Sequence, residues 1–144
     1  MKNKKIILCI LAALVVLGGY CWFTQTHISS DNRSVYLNSK YGYTLRLPIG
    51  ATQHEDSEGG MFVQDSIGTL DVNVAPASAE SIMTPNNTVN LNGQVAKLYT
   101  FTDEKGYNRK SYHILHNGLI YEITFAPLDD VNLQASAESF RFTN

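Results

Sequence analysis

Apolar and polar residues alternate through KYGYTLRLP, residues 40–48. Tyr41, Tyr43, Leu45 and Leu47 occupy the odd positions, with Gly42, Thr44 and Arg46 between them. A period of two marks a strand with one side buried. Each such apolar side chain contributes about 1.5–3 kcal/mol when buried. Pro48 has no ladder donor, so the strand ends there or lies at an edge. The pattern predicts this segment as the first long strand of a domain. TLDVNVAP, residues 69–76, repeats it, with Leu70, Val72 and Val74 inward and Asp71 and Asn73 outward. Met61 to Gln64 is expected to pair with it across Asp65-Ser66-Ile67-Gly68.

Two Asn-Gly pairs predict two further hairpins, because both residues tolerate the positive φ of a tight turn. Asn92-Gly93 joins TVNL to QVAKLYTFTD, and Asn117-Gly118 joins KSYHILH to LIYEITFAP. A two-residue turn at the second pair sets His116 opposite Leu119, Ile114 opposite Tyr121 and Tyr112 opposite Ile123. Phe125 joins that aromatic and β-branched face, which reads as core. The reverse face carries Ser111, His113, Leu115, Ile120, Glu122 and Thr124, and is expected to be partly covered.

Helical signals are few. SAESIM, residues 78–83, suits a turn or two before Pro85. Asp129 to Ser139 is the better helix, with Asp129 or Asp130 capping its free N–H groups and Val131, Ala135 and Phe140 directed at the sheet. SFRF then closes the domain. The expected fold is α+β: an antiparallel sheet of six or more strands, a C-terminal helix packed on it, and an N-terminal transmembrane helix ahead of both.

That last element rests on the apolar run IILCILAALVVLGGYCWF, Ile6 to Phe23, preceded by Lys2, Lys4 and Lys5. Eighteen helical residues rise about 27 Å, close to the thickness of a bilayer core. Tyr20 and Trp22 suit the interface, and the lysines hold the N-terminus in the cytoplasm. No small-x-small site follows the run, which favours an uncleaved signal anchor over a cleaved signal peptide. Lipidation at Cys21 fits less well, because Tyr20 stands where a small residue is expected. The division is residues 1–23 as anchor, 24–34 as polar tether and 35–144 as an extracytoplasmic domain. The protein is thereby placed at the cell membrane as a single-pass chain, the alternative being release or lipid anchoring after cleavage.

From Thr24 onward there are eight basic and thirteen acidic residues and no cysteine. Disulfides, thiolate metal sites and cysteine nucleophiles are excluded from that region. The acidic balance, with no basic cluster beyond Arg109-Lys110, argues against nucleic acid or an anionic membrane as the main ligand. No cofactor is implied.

His113 and His116 are three apart on a strand and point to opposite faces. His113 instead faces Glu122 across the hairpin, a weak candidate metal or acid–base pair whose simpler reading is a cross-strand ion pair. His27 falls in the tether. HEDSEGG, His54 to Gly60, reads as a solvated acidic turn, since the ligand order of a calcium loop is missing. Asp129-Asp130 reads as capping, and Ser66 and Ser111 have no evident base beside them. No metal, cofactor or catalytic residues are assigned, and the chain is not expected to be an enzyme.

KYGYTLRLP, TLDVNVAP, NGLIYEITFAP, a short helix and SFRF, taken in that order, resemble the PsbP-like family of exported bacterial domains. The resemblance covers Tyr36 to Phe142. It implies the fold of the photosystem PsbP subunit and of a small eukaryotic Ran-binding protein. It also implies an envelope-anchored accessory or binding role, with no catalytic motif to carry over. The expectation is an anchored module that engages another envelope protein, with Tyr36, Tyr41, Tyr99 and Tyr107 as candidate interface aromatics. The alternative is a small-molecule or metal-ion sensor using the His113/Glu122 face. A pilin-like subunit fits poorly, because the apolar run lacks an early glutamate.

Overall fold

Both Asn-Gly pairs turn the chain as their backbone preference requires. Asn92 and Gly93 have φ of 51° and 86°, and Asn117 and Gly118 have 50° and 76°. Each sequence pays the left-handed conformation at the two residue types that tolerate it best. The computed structural model describes residues 33–79 and 83–143. The predicted anchor (1–23) and most of the tether (24–34) lie outside the described residues. No helix among those described is long and apolar enough to cross a membrane.

Among the described residues there are ten strands and one α-helix. Strands β1 (Val35–Asn38), β2 (Tyr43–Arg46) and β10 (Arg141–Phe142) form a small sheet in the order β1-β2-β10. Strands β3 (Thr52–Glu55), β4 (Met61–Gln64), β5 (Thr69–Pro76), β6 (Asn87–Leu91), β7 (Gln94–Thr102), β8 (Asn108–His116) and β9 (Leu119–Ala126) form the large one. Its order is β3-β4-β5-β9-β8-β7-β6, and every pairing is antiparallel. The helix α1 spans Val131–Ala137. The architecture is α+β, with a seven-stranded antiparallel sheet and a C-terminal helix.

The register predicted for the second Asn-Gly hairpin is the observed one: His116 opposite Leu119, Ile114 opposite Tyr121, Tyr112 opposite Ile123, and His113 opposite Glu122. The pairing of β4 with β5 across residues 65–68 also holds. Continued through β5, the register aligns Leu70, Val72 and Val74 with Phe125, Ile123 and Tyr121. That face is the core, and Leu70, Ile114, Ile123 and Phe125 are fully buried.

The opening strand is shorter than its pattern suggests. Residues 39–42 are a turn, with Gly42 at φ 62°, and only Tyr43–Arg46 pairs as strand. It belongs to the small sheet, where Tyr43, Leu45 and Leu47 are buried and Tyr41 only partly so. Its neighbour β1 precedes it, in a segment without a clear alternating pattern. Buried Asn38 holds this sheet in place. Its Nδ2 donates to the Gly59 carbonyl at 3.1 Å, and its Oδ1 accepts from the Tyr41 N–H at 2.9 Å.

The acidic segment is also reorganised. His54 and Glu55 lie on edge strand β3, so the turn is reduced to Asp56–Gly60, where Asp56 Oδ1 accepts from the N–H groups of Glu58 and Gly60. Residues 77–79 form a single 3-10 turn, and 80–82 of the predicted SAESIM turn lie outside the described residues.

Asp130 is the helix cap, accepting from the N–H groups of Asn132 and Leu133 at 2.8 and 3.0 Å. Starting the helix there fixes its rotation. Leu133, Ser136 and Ala137 face inward at a spacing of three and four, with Phe140 buried just beyond. Val131, expected inward, lies in the first turn and is 75% exposed, and Ala135 is half-buried. The helix packs on β9, β2 and β5. Tyr43 stacks on Phe140 with ring centroids 5.1 Å apart. Helix and small sheet thus seal one face of the large sheet.

Candidate functional site

Among the described residues no α-helix packs on the other face of the large sheet. Its side chains follow from the register and form cross-strand rows. One row runs Asn73, Glu122, His113, Lys97, Thr88, and the next runs Asp71, Thr124, Ser111, Tyr99. Polar residues at alternate positions of adjacent strands put these groups on one surface.

His113 and Glu122 meet as the hairpin register dictates, with Nδ1 and Oε1 3.8 Å apart. That distance suits an ion pair when the imidazole is protonated and is too long for a direct hydrogen bond. His113 is only 8% exposed, with the Tyr99 ring centroid 4.3 Å from its own. The Ser111 and Thr124 hydroxyls hydrogen-bond at 2.7 Å in the adjacent row. A metal needs further donors, and among the described residues no three His, Cys, Asp or Glu side chains gather. His116 points to the sealed side and stacks on Phe142 at 3.8 Å. His54 is exposed on β3, and His27 lies outside the described residues.

Of the four tyrosines named as interface candidates, Tyr107 is exposed and Tyr99 is buried against His113. Tyr36 is half-buried against Tyr43, and Tyr41 directs its hydroxyl to the Glu58 carbonyl. Tyr107 therefore stands apart. It borders a cleft of about 640 Å³ at one end of the open face, together with Phe62, Ile67, Asp71, Arg109 and Pro127.

Two loops form the cleft walls, and an aspartate closes each. Asp65 Oδ1 accepts from the N–H groups of Ile67 and Gly68, both at 2.8 Å. Asp103 Oδ1 accepts from those of Lys105 and Tyr107, both at 2.9 Å. Side-chain acceptance of N–H groups two to four residues on is what makes aspartate a loop former. Gly68 sits so close to the Ala126 carbonyl that a Cβ would collide with it, which anchors the first loop to the end of β9.

Arg109 joins the walls. Its Nε donates to Asp103 Oδ2 at 2.6 Å, and its Nη1 lies 3.6 Å from Asp71 Oδ2. The two carboxylates respond differently. The Arg109 hydrogen bond, aided by the Tyr107 and Lys105 N–H groups, holds Asp103 below the usual carboxylate range. Burial pushes Asp71 up, against a smaller opposing pull from Arg109. Asp71 is consequently the cleft carboxylate with the least compensation. The cleft offers exposed aromatic and aliphatic surface beside fixed charges, an arrangement suited to gripping a ligand that is part apolar and part polar. Ser66 lines it, and no histidine does among the described residues.

A second hollow, about 440 Å³, lies beyond the end of α1 among Val89, Leu98, Lys110, Tyr112 and Glu138. There the Tyr112 hydroxyl donates to Glu138 Oε1 at 3.1 Å. Burial, then the Glu138 charge, raises the tyrosine's pKa well above its ordinary value.

Sequence reasoning placed Asp71 outward but did not bring it to Arg109. The Asp103-x-x-Gly106 spacing was a usable turn signal. The meeting of the two loops required knowing that β5 pairs with β9, a contact between segments some fifty residues apart.

No protein-family model matches the chain, and no curated protein does. Seven chains of solved structures match. One, from Bacteroides thetaiotaomicron, is similar with a TM-score of 0.53 and 10% identity, over 78% of this chain and 49% of that one. The present chain thus spans about half the length of that structure, and at this identity the likeness shows the fold alone.

Proposed function

We propose that this protein is an extracytoplasmic accessory module, PsbP-like in its domain, held to the cell membrane by Ile6–Phe23 and engaging an envelope protein through the cleft of its open face. The observation that carries the reading is the contrast across the large sheet. One face is sealed by α1 and the small sheet, and the other presents a cleft where Tyr107, Phe62 and Ile67 are exposed beside Asp71 and Arg109. Exposed aromatic groups beside a guanidinium are the residue types that concentrate binding energy at protein interfaces. The reading is of binding without catalysis.

The test is site-specific photo-cross-linking in intact cells, with the probe at Tyr107 or, for comparison, at Val131 on the helix side. A discrete adduct to an envelope protein at 107 and not at 131, lost in Ile67→Asp, is the expected result. The same adducts at both positions, or none at 107, would overturn the cleft as the docking site. Protease digestion of spheroplasts tests the topology independently: the domain should be cut from outside, and protection would place it in the cytoplasm.

A further inference from the structure

The outer surface of the small sheet differs in chemistry from the rest of the domain. Its register sets Val35 beside Arg46, and Thr44 between Leu37 and Arg141. The intervening residues Tyr36, Leu45 and Tyr43 turn inward, where Leu45 and Tyr43 are fully buried. The outward positions on all three strands are therefore Val35, Leu37, Thr44, Arg46 and Arg141, and none is acidic. Val35 and Leu37 are 62% and 58% exposed, and both arginines are exposed. Ile49, 76% exposed, lies at the same end, because the Leu47 N–H donates to the Ser34 carbonyl at 2.8 Å and ties the turn after β2 to the start of β1.

Three large aliphatic side chains with two outward arginines are unusual in a region carrying thirteen acidic and eight basic residues. Apolar groups flanked by cations suit an interface whose polar layer is negative and whose interior is hydrocarbon. Sequence supplies the occupant. Ten residues, Thr24 to Arg33, separate the end of the Ile6–Phe23 run from Ser34. Such a segment reaches at most about 35 Å when extended, and about 17 Å on average when flexible. The strand it feeds, β1, is the one bearing Val35 and Leu37.

We infer that the β1-β2-β10 outer surface is a lipid-contact face, resting on anionic phospholipid headgroups of the membrane that holds the chain. Val35, Leu37 and Ile49 enter the interfacial layer, and Arg46 and Arg141 sit among the phosphates. The inference rests on the anchor part of the proposed function and is independent of the cleft.

The full chain, with Cys9 and Cys21 replaced by serine, is incorporated into lipid nanodiscs containing phosphatidylglycerol or only phosphatidylcholine. A fluorophore is attached at Leu37→Cys or, separately, at Val131→Cys, and quenching by headgroup spin labels is measured. With phosphatidylglycerol, quenching at 37 should exceed that at 131 by about twofold or more, as partial immersion of one face requires. The excess should fall in Arg46→Glu/Arg141→Glu, and also at about 1 M salt, where the screening length shortens to about 3 Å. Equal quenching at 37 and 131 in discs that contain the chain overturns the lipid face while leaving the anchor intact. An excess that is the same in both lipids overturns the anionic headgroup as ligand. Recovery of the chain free of discs overturns the anchor reading, and this inference with it. Shielding at 37 that appears only when membrane proteins are added assigns the face to a protein partner instead.

Discussion

The two faces of the seven-stranded sheet are made from the same strands, yet they do different work. On the sealed face, Leu70, Ile114, Ile123 and Phe125 are completely buried beneath Leu133, Phe140 and Tyr43. On the reverse face, alternate residues of those strands are Asp71, Asn73, His113, Glu122 and Thr124, set in register across the strands. The difference shows how an antiparallel sheet separates an apolar face from a polar one. A period of two lets each residue be selected for one face with little effect on the other.

The largest effect should come from the sealed face. Phe125→Ala removes a fully buried ring and is expected to cost about 3–5 kcal/mol, read by urea denaturation. Leu115→Ala, on the exposed reverse side of the same hairpin, should change stability by no more than about 0.5 kcal/mol. Comparable losses would mean that the open face is covered in solution.

Next is the helix that makes the seal. Asp130→Ala removes the acceptor for two helix N–H groups and should cost about 1 kcal/mol. Hydrogen exchange should quicken through residues 131–137 more than in β8. Uniform quickening would show that the helix and sheet open together.

Within the cleft, the two carboxylates facing Arg109 should respond to pH in opposite directions. Asp103 is depressed in the fold, so its contribution is present above the unfolded value of about 3.9 and disappears as pH falls through the lower folded value. Asp103→Asn should be less stable than wild type at neutral pH and lose less on acidification. Asp71 is raised, so the folded state keeps its proton longer, and stability falls as pH rises from the unfolded value through the folded one. Asp71→Asn should therefore match or exceed wild type at neutral pH. Thermal midpoints at pH 3, 5 and 7 distinguish the two, and parallel shifts would remove the asymmetry.

The smallest effect concerns His113 and Glu122. A double-mutant cycle with His113→Gln and Glu122→Gln should give a coupling of about 0.2–1 kcal/mol, as for a cross-strand pair. Zinc calorimetry on wild type and His113→Ala gives a sharper separation. A tight heat signal abolished by the substitution would turn the pair into a ligand site.

Much of this arrangement was readable from local pattern. Asn117-Gly118 set the register of β8 and β9, and with it the meeting of His113 and Glu122, because a two-residue turn leaves no freedom in the pairing. The alternation in 69–76 correctly assigned Leu70, Val72 and Val74 to the core side. Strands β1 and β3 were not legible. VYLN and TQHE lack a clean buried face, since each is an edge strand held mainly by backbone pairing to one neighbour. The helix was legible as an element but not in its rotation, because Asp129 and Asp130 are equally good caps by composition. The choice between them moves Val131 from the core side to solvent.

The sequence by itself determined the hairpins, the apolar face that becomes core, and the polarity of the face behind it. These depend on interactions between residues close along the chain, where turn chemistry and side-chain period suffice. Only the tertiary structure decided that TLRL belongs to a separate small sheet, that Arg109 stands between Asp71 and Asp103, and that Tyr107 and Ile67 border one cleft. Those contacts join segments far apart in sequence, and they form because the α1 and small-sheet packing fills one side of the large sheet.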